Sequence, residues 1–281
     1  MNRRVITAES LAHFSEHLIQ EERSPATIEK YCREVRAFSS WLKGISVTKE
    51  TAARWKEHLL SLGYNSATVN GYLAALNAFF RFAGWEDCRV KFLRRQRRLF
   101  RDDHRELTRV EYLRLLSAAQ ALGQERLCLL MESICATGIR VGEVKYLTVE
   151  AAQCGQAEIS LKGKIRTLLL PGKLCRKLLK YAKKQKISSG EIFLTRGGKS
   201  LDRRLIWAEM KAVCEKACVA PSKVFPHNLR HLFARAFYQV SRDVVKLADV
   251  LGHSSIETTR IYLISTGIQH ARTLERLRLM T

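Results

Sequence analysis

Between Pro226 and Tyr262 the sequence PHNLRHLFARAFYQVSRDVVKLADVLGHSSIETTRIY leaves the chain few choices of local structure. Ser241 reads as an N-cap, and Val244, Val245, Leu247, Ala248, Val250 and Leu251 then repeat at helical spacing. Gly252 ends that helix, because a residue free to take positive φ suits the position after a last turn. Ser254 with Glu257 gives a capping-box pattern for a second, short helix that carries Tyr262. His253 is thereby confined to a tight turn between two helices, with Tyr262 nine residues further on and His227, Arg230 and His231 before it. A single histidine near a helix end usually caps or packs. The ordered set is what carries weight.

Size and charge narrow the rest. The 281 residues suit two modest domains, and 46% hydrophobic content supplies ordinary packed cores. Forty-nine Lys and Arg against 27 Asp and Glu leave a formal charge of +22, which favours a polyanionic partner, nucleic acid before others. No apolar run comes near the roughly 18 residues of a membrane span, and no apolar stretch follows the basic start at Arg3 and Arg4. A cytoplasmic protein is expected. Its eight cysteines form no C-x-x-C pair and mostly fall in apolar helical patterns, so they read as reduced core thiols. Cys214 and Cys218 stand one helical turn apart, but no His or Cys pair at zinc spacing joins them. Neither a metal nor a cofactor is expected.

Residues 1–88 read as wholly helical. One amphipathic helix opens on Leu11, Phe14, His17 and Leu18. Ser24 and Pro25 start a second, through Ile28, Tyr31, Val35, Phe38 and Trp41, which Gly44 closes. A third follows Thr48 and buries Ala52, Trp55, Leu59 and Leu60 before Gly63; a fourth begins at Ser66. Ser24-Pro-Ala-Thr-Ile echoes Ser66-Ala-Thr-Val, so Thr27 and Thr68 mark two helix starts whose free N–H groups could meet a phosphate. Two ordinary capped helices would give the same echo.

From Arg89 to Arg101 there are seven basic residues and no acid, and residues 89–105 read as an interdomain linker. Arg94, Arg95, Arg97 and Arg98 are its candidate phosphate contacts. The second domain, 106–281, opens with a helix through Leu113, Leu116 and Ala119, then an apolar helix from Glu125 to Ala136 that Thr137-Gly138 breaks. Arg140-Val-Gly-Glu143-Val starts the next; an arginine facing a helix's positive end is awkward unless an anion sits there, or unless it simply pairs with Glu143. Ala157 to Leu161 and Thr167 to Leu170 read as strands around Lys162-Gly163-Lys164, and Ile192 to Leu194 as a third. Pro171 onwards reads as a basic helix, and Leu201 to Cys214 as one whose Arg203 and Arg204 could lie along DNA. Ala271, Leu274, Leu277 and Met280 give the tail helical spacing.

His-x-x-Arg at His227 and Arg230, then Leu-Gly-His at His253, then Tyr262, resemble the C-terminal signature of the tyrosine recombinases, the phage integrase superfamily. The short Xer-like and transposon-borne integrases are the member types most similar. ATGIRVGEV, with Arg140 and Glu143, resembles that superfamily's first active-site motif. Lys162-Gly163-Lys164 resembles the turn that carries its lysine, one residue short: counting back from Arg166 favours Lys162, counting forward from Arg140 favours Lys164. Lys162, just before the glycine, is preferred. The resemblance implies a mainly α fold: an N-terminal four-helix core-binding (SAM-like) domain, then a mixed α catalytic domain with a small antiparallel β-sheet, together a C-shaped DNA clamp.

It also implies a reaction. Tyr262 would attack a DNA phosphodiester, with His227 as base, Arg140 and Arg230 on the non-bridging oxygens, His253 as a further donor and Lys162 as general acid. The product is a 3′-phosphotyrosyl link and a free 5′-hydroxyl, which stores the bond for rejoining. The implied assembly is a dimer per site and a tetrameric synapse, held through a tail that docks on a neighbour or else folds back on its own domain. Two rivals share the fold: a type IB topoisomerase-like enzyme and a non-catalytic DNA-binding regulator. With no separate arm-binding domain expected, a simple site is favoured; integration or excision of a mobile element, dimer resolution and inversion would all use this chemistry.

Overall fold

The computed structural model describes residues 4–94, 105–161 and 164–262. The chain divides into two compact units, Met1–Arg97 and Arg98–Thr281.

The first unit holds α1 (Ala8–Gln20), α2 (Pro25–Leu42), α3 (Lys49–Ser61) and α4 (Ser66–Phe82), then a 3₁₀ turn at Glu86–Cys88. Reciprocal caps start α1 and α3: Thr7 with Ser10, and Thr48 with Thr51. Phe14, Phe38, Phe79 and Phe80 are fully buried between the helices, with Phe14 meeting Phe79 edge-on at 5.2 Å. Leu60, expected inside, is 42% exposed, because Trp55 and Leu59 already define the buried face of α3. The serine echo also aligns differently. Ser24 is the N-cap of α2, but Asn65 caps α4, so Ser66 takes the place of Pro25. Thr27 and Thr68 are therefore equivalent, third in their helices, and each bonds its N-cap side chain: Thr27 Oγ1 to Ser24 Oγ at 2.8 Å, Thr68 Oγ1 to Asn65 Oδ1 at 3.3 Å.

The stretch read as the start of a linker is fastened to this unit. Asn77 Nδ2 donates to the Val90 carbonyl at 2.9 Å, and its Oδ1 accepts from the Val90 N–H at 3.0 Å. Asn70, two turns earlier on the same face of α4, does the same with Leu93 at 3.0 and 2.8 Å. Exposed Arg94 follows. Arg95, Arg97 and Arg98 lie outside the described residues.

The second unit is built on α6 (Glu125–Thr137), preceded by α5 (Arg109–Ala121). Leu127, Leu130, Met131 and Ile134 of α6 are all buried, and helices close around it: α5, then α8 (Gly172–Lys184), α9 (Arg203–Ala212) and α10 (Pro226–Ser241). Its polar residues return their hydroxyls to its own carbonyls, Ser133 to Leu129 at 2.8 Å and Thr137 to Ser133 at 2.7 Å. Between α6 and α8 run a 3₁₀ segment (Val141–Tyr146), α7 (Val149–Cys154), β1 (Gln156–Leu161) and β2 (Lys164–Leu169). The strands are antiparallel, Gln156 opposite Leu169 and Leu161 opposite Lys164. The unit ends, among the described residues, with α11 (Val244–Leu251) and α12 (Ile256–Arg260).

Several expectations shift here. Ile192–Leu194 is not a strand: Ile192 N–H bonds the Leu147 carbonyl and Arg126 takes the Leu194 carbonyl, leaving only isolated bridges at Thr148–Glu191 and Leu194–Ser200. Ser241 is the last residue of α10, and Asp243 caps α11 through the Val245 and Lys246 N–H groups at 2.8 and 3.1 Å. Ser255, not Ser254, caps α12. Cys154 and Cys218 are exposed, whereas Cys88, Cys128, Cys175 and Cys214 are buried, so Cys214 and Cys218 do not share an environment. No helix among the described residues is long and apolar enough to cross a membrane.

Candidate active site

The centre of the second unit is a meeting of two helix ends with α10. α6 stops at Gly138, in the left-handed region (φ +65), where a Cβ would come within 2.4 Å of Phe233 Cδ1 on α10. α11 stops at Gly252, also left-handed (φ +64). Each stop frees a carbonyl, and Arg230 of α10 spans them. Its Nη1 donates to the Gly138 carbonyl, and its Nη2 to the Leu251 carbonyl at 2.9 Å and to His253 Nε2 at 3.0 Å. Arg230 is 2% exposed. Burial lowers its pKa, with the Tyr262 side chain opposing and the Arg140 charge adding.

A guanidinium only donates, so His253 Nε2 accepts and the ring proton sits on Nδ1, facing Thr259 Oγ1 at 2.8 Å. Thr259 is fully buried. Burial, then the cations Arg230, Arg140 and Arg166, push the His253 pKa down to about 4. The ring is neutral at pH 7. Donation from Nε2 to a phosphate, the role expected of it, requires the proton to change nitrogens once Arg230 turns to the phosphate.

Tyr262 closes the cluster. It is 4% exposed, its ring stacked on His253 (centroids 5.8 Å, 10° between planes) and edge-on to His231 at 4.5 Å. His227 lies 6.1 Å from the Tyr262 ring and 4.6 Å from His231. His227 itself is exposed. Desolvation by its surroundings, followed by Arg230, Arg140 and Arg203, lowers its pKa, which keeps it a neutral proton acceptor.

Arg140 stands beside this group at the start of the 3₁₀ segment. Glu143 Oε2 accepts from the Arg140 N–H at 2.9 Å and Oε1 from its Nη1 at 2.9 Å. The awkward arginine thus has the carboxylate as its partner, and a short 3₁₀ segment replaces the expected helix. Glu143 is 3% exposed and accepts a third bond, from Arg166 Nη2 at 2.6 Å. Burial alone would raise its pKa; the Arg140 N–H, Arg166 and the Arg140 guanidinium outweigh that and hold it below the usual carboxylate value. Arg140 keeps 43% of its side chain exposed, so donors remain for an incoming anion.

Arg140, His227, Arg230, His253 and Tyr262 are therefore brought together. Lys162 lies outside the described residues, and Lys164 is the first residue of β2, opposite Leu161. Thr27, Thr68 and Arg94 belong to the first unit; Arg203 and Arg204 are exposed on the first turn of α9, Arg203 near enough to act on His227. Three contributors were not singled out from sequence as site residues: Arg166, Thr259 and Asn228. Asn228 Nδ2 donates to the Arg105 and Lys223 carbonyls, both at 2.7 Å, and so fixes the start of α10. Arg166 had a signal. On β2 the apolar Ile165 and Leu169 face out (68% and 70% exposed), so alternation turns Arg166 inward with Leu168.

Comparisons with known proteins bear on the family and the fold. A sequence model described as the Phage integrase family matches residues 105–267, and one described as the Phage integrase, N-terminal SAM-like domain matches residues 11–87. Tyrosine recombinase XerA of Thermococcus kodakarensis is 30% identical over 272 residues, covering 94% of this chain and 93% of its own. Among solved structures, a lambda integrase tetramer bound to a Holliday junction matches with TM-score 0.75 at 18% identity, over 93% of this chain and 78% of that one. XerH bound to its difH substrate before cleavage matches with TM-score 0.68 at 19% identity, over 97% and 90%. At those identities the structures speak to the fold.

Proposed function

The chain belongs to the phage integrase family of tyrosine recombinases, and from that premise we propose that it is a site-specific recombinase whose nucleophile is Tyr262. The observation that carries the assignment is the cluster itself: a buried guanidinium, two neutral imidazoles and a phenol within one set of contacts, with a second, half-open guanidinium alongside.

In the proposed reaction the Tyr262 oxygen bonds to the scissile phosphorus and gives its proton to neutral His227. The bond from phosphorus to the 5′-oxygen breaks, and that oxygen takes a proton from Lys162, in the segment joining β1 to β2. A 3′-phosphotyrosyl ester and a 5′-hydroxyl result, and attack by a second 5′-hydroxyl reverses the steps to rejoin strands. Charge grows on the non-bridging oxygens in between. Arg140 donates to it from its exposed face, Arg230 by exchanging a protein acceptor for the phosphate, and His253 through Nε2; each such donor is worth on the order of 3 kcal/mol in a site of this kind. Phenol pKa values lie near 10, so a nearby neutral imidazole is needed to accept the proton.

The substrate is duplex DNA, which suits a cytoplasmic setting and the charge of +22. Thr27, Thr68, Arg94, Arg95, Arg97, Arg98, Arg203 and Arg204 are proposed to contact phosphates of the duplex. The lambda integrase and XerH structures on DNA support an oligomer acting on DNA; a dimer per site and a tetrameric synapse, held through the tail beyond residue 262, are the finer proposal. The test is covalent capture from a library of nicked duplexes, where a strand lost at the nick traps the adduct. Wild-type protein should yield a tyrosyl–DNA adduct, and Tyr262→Phe should bind the same duplexes without forming one. Adducts with the phenylalanine variant would assign the nucleophile elsewhere.

A further inference from the structure

We propose that Arg166 is a positioning residue of the strand-transfer site, releasing Arg140 to the phosphate by holding the buried Glu143 carboxylate itself, and locking the Val250–His253 turn through the Val250 carbonyl. The inference rests on the recombinase reading for its catalytic consequence, though not for the pairing.

Arg166 makes two bonds from one guanidinium. Nη2 donates to Glu143 Oε2 at 2.6 Å, and Nη1 donates to the Val250 carbonyl at 3.1 Å, in the last turn of α11. Its side chain is only 15% exposed. It also passes directly over Gly252: a Cβ there would lie 2.3 Å from Arg166 Cδ, with Nε and Nη1 at 3.0 and 3.1 Å. The side chain therefore ties β2 to the turn that carries His253 and to the carboxylate that carries Arg140.

That carboxylate poses a conflict. Glu143 is 3% exposed and ionised, and a buried charge needs a partner. Arg140 is one partner and is also the guanidinium a phosphate must recruit. If Arg140 were the sole partner, every bond it gave the phosphate would be drawn from Glu143. Arg166, with only 15% of its side chain exposed, supplies the compensating charge instead. Glu143 then serves as a fixed hinge for Arg140, which bonds it through the backbone N–H as well as the side chain, while 43% of the Arg140 side chain stays exposed.

The test is a double-mutant cycle on Arg166→Ala, Glu143→Gln and the pair, with Arg166→Lys as a second route should alanine prove too disruptive. Adduct formation is followed in single turnover on a captured nicked duplex at saturating protein. Arg166→Ala should slow it by about tenfold or more with duplex binding within about twofold. Adding Glu143→Gln should recover much of that rate, since the uncompensated charge is gone. Arg166→Lys, which keeps the charge without spanning both acceptors, should fall between wild type and alanine. A double variant no faster than Arg166→Ala would overturn the role, leaving a merely structural tie to Val250; so would an alanine rate within about twofold of wild type. Urea unfolding of the same cycle reads the pairing without DNA: Glu143→Gln should cost less in the Arg166→Ala background than alone, and independent midpoint shifts would refute the pairing. Should wild-type protein form no adduct, the recombinase reading fails while this unfolding arm still decides whether Arg166 holds Glu143.

Discussion

Replacing Gly252 with alanine separates backbone strain from side-chain obstruction within one experiment. Gly252 sits at φ +64, and any L-residue there costs about 1 kcal/mol from its Cβ alone. Gly123 provides the control: its φ is +66, it lies in the same unit, and nothing stands within 4 Å of where its Cβ would be. At Gly252 the new methyl would lie 2.3 Å from Arg166 Cδ. A free arginine would swing aside, but this one is held at both acceptors, Glu143 and the Val250 carbonyl. Withdrawing it breaks at least one charge-assisted bond, roughly 1.5–3 kcal/mol. Gly252→Ala should therefore cost about 2.5–4 kcal/mol in urea unfolding, against about 1 for Gly123→Ala. In the Arg166→Ala background the obstruction is gone, and Gly252→Ala should fall back to about 1 kcal/mol. Equal costs for the two glycines, or an undiminished cost in that background, would refute the reasoning.

The remaining predictions concern the first unit and pH. Asn77→Leu leaves the Val90 N–H and carbonyl buried without partners, so it should cost about 3 kcal/mol of unfolding free energy and speed tryptic cleavage between Arg89 and Arg94; unchanged cleavage would mean the clamp does not hold the segment. His253 has its folded pKa lowered from 6.5 to about 4, so the folded state binds the proton less readily than the unfolded one. Its contribution is complete above pH 6.5 and is lost as pH falls toward 4, amounting to about 2 kcal/mol once partial solvent exposure of the ring is allowed for. Stability of a His253→Gln variant should fall less than wild type over that interval; parallel pH profiles would show that burial and the neighbouring arginines do not oppose the ring's protonation. Glu143, lowered from 4.5, acts in the same sense, its contribution being lost as pH falls below 4.5, so the comparison with His253→Gln, which keeps Glu143, is what isolates the ring.

What could be read in advance was local, and what could not was paired at long range. The helices of the first unit follow from 3.6-residue periodicity with Gly and Thr punctuation, and Gly252, His253 and Tyr262 from spacing within one short stretch. Cap identities slipped by one or two residues because Ser241, Asp243, Ser254 and Ser255 are all competent acceptors, and only the final chain direction selects among them. Ile192–Leu194 has the composition of a strand but no neighbouring strand to pair with, since Leu147 and Arg126 take its backbone groups. The Asn70 and Asn77 clamps join residues 23 and 13 apart, and Arg166 reaches partners 23 and 84 away. No window of sequence displays such pairs. An arginine on the inward side of a strand with apolar neighbours outward was the one trace they left.

The Arg230 bridge bears on how variants of this enzyme are to be read. A side chain that staples the ends of two helices while also facing Tyr262, the proposed nucleophile, answers to folding and to chemistry at once. Loss of activity after its removal would say little about phosphate stabilisation, because the turn holding His253 would loosen in the same stroke. Half-open Arg140, which closes no such gap, is the cleaner probe of how much a guanidinium contributes to the strand-transfer step.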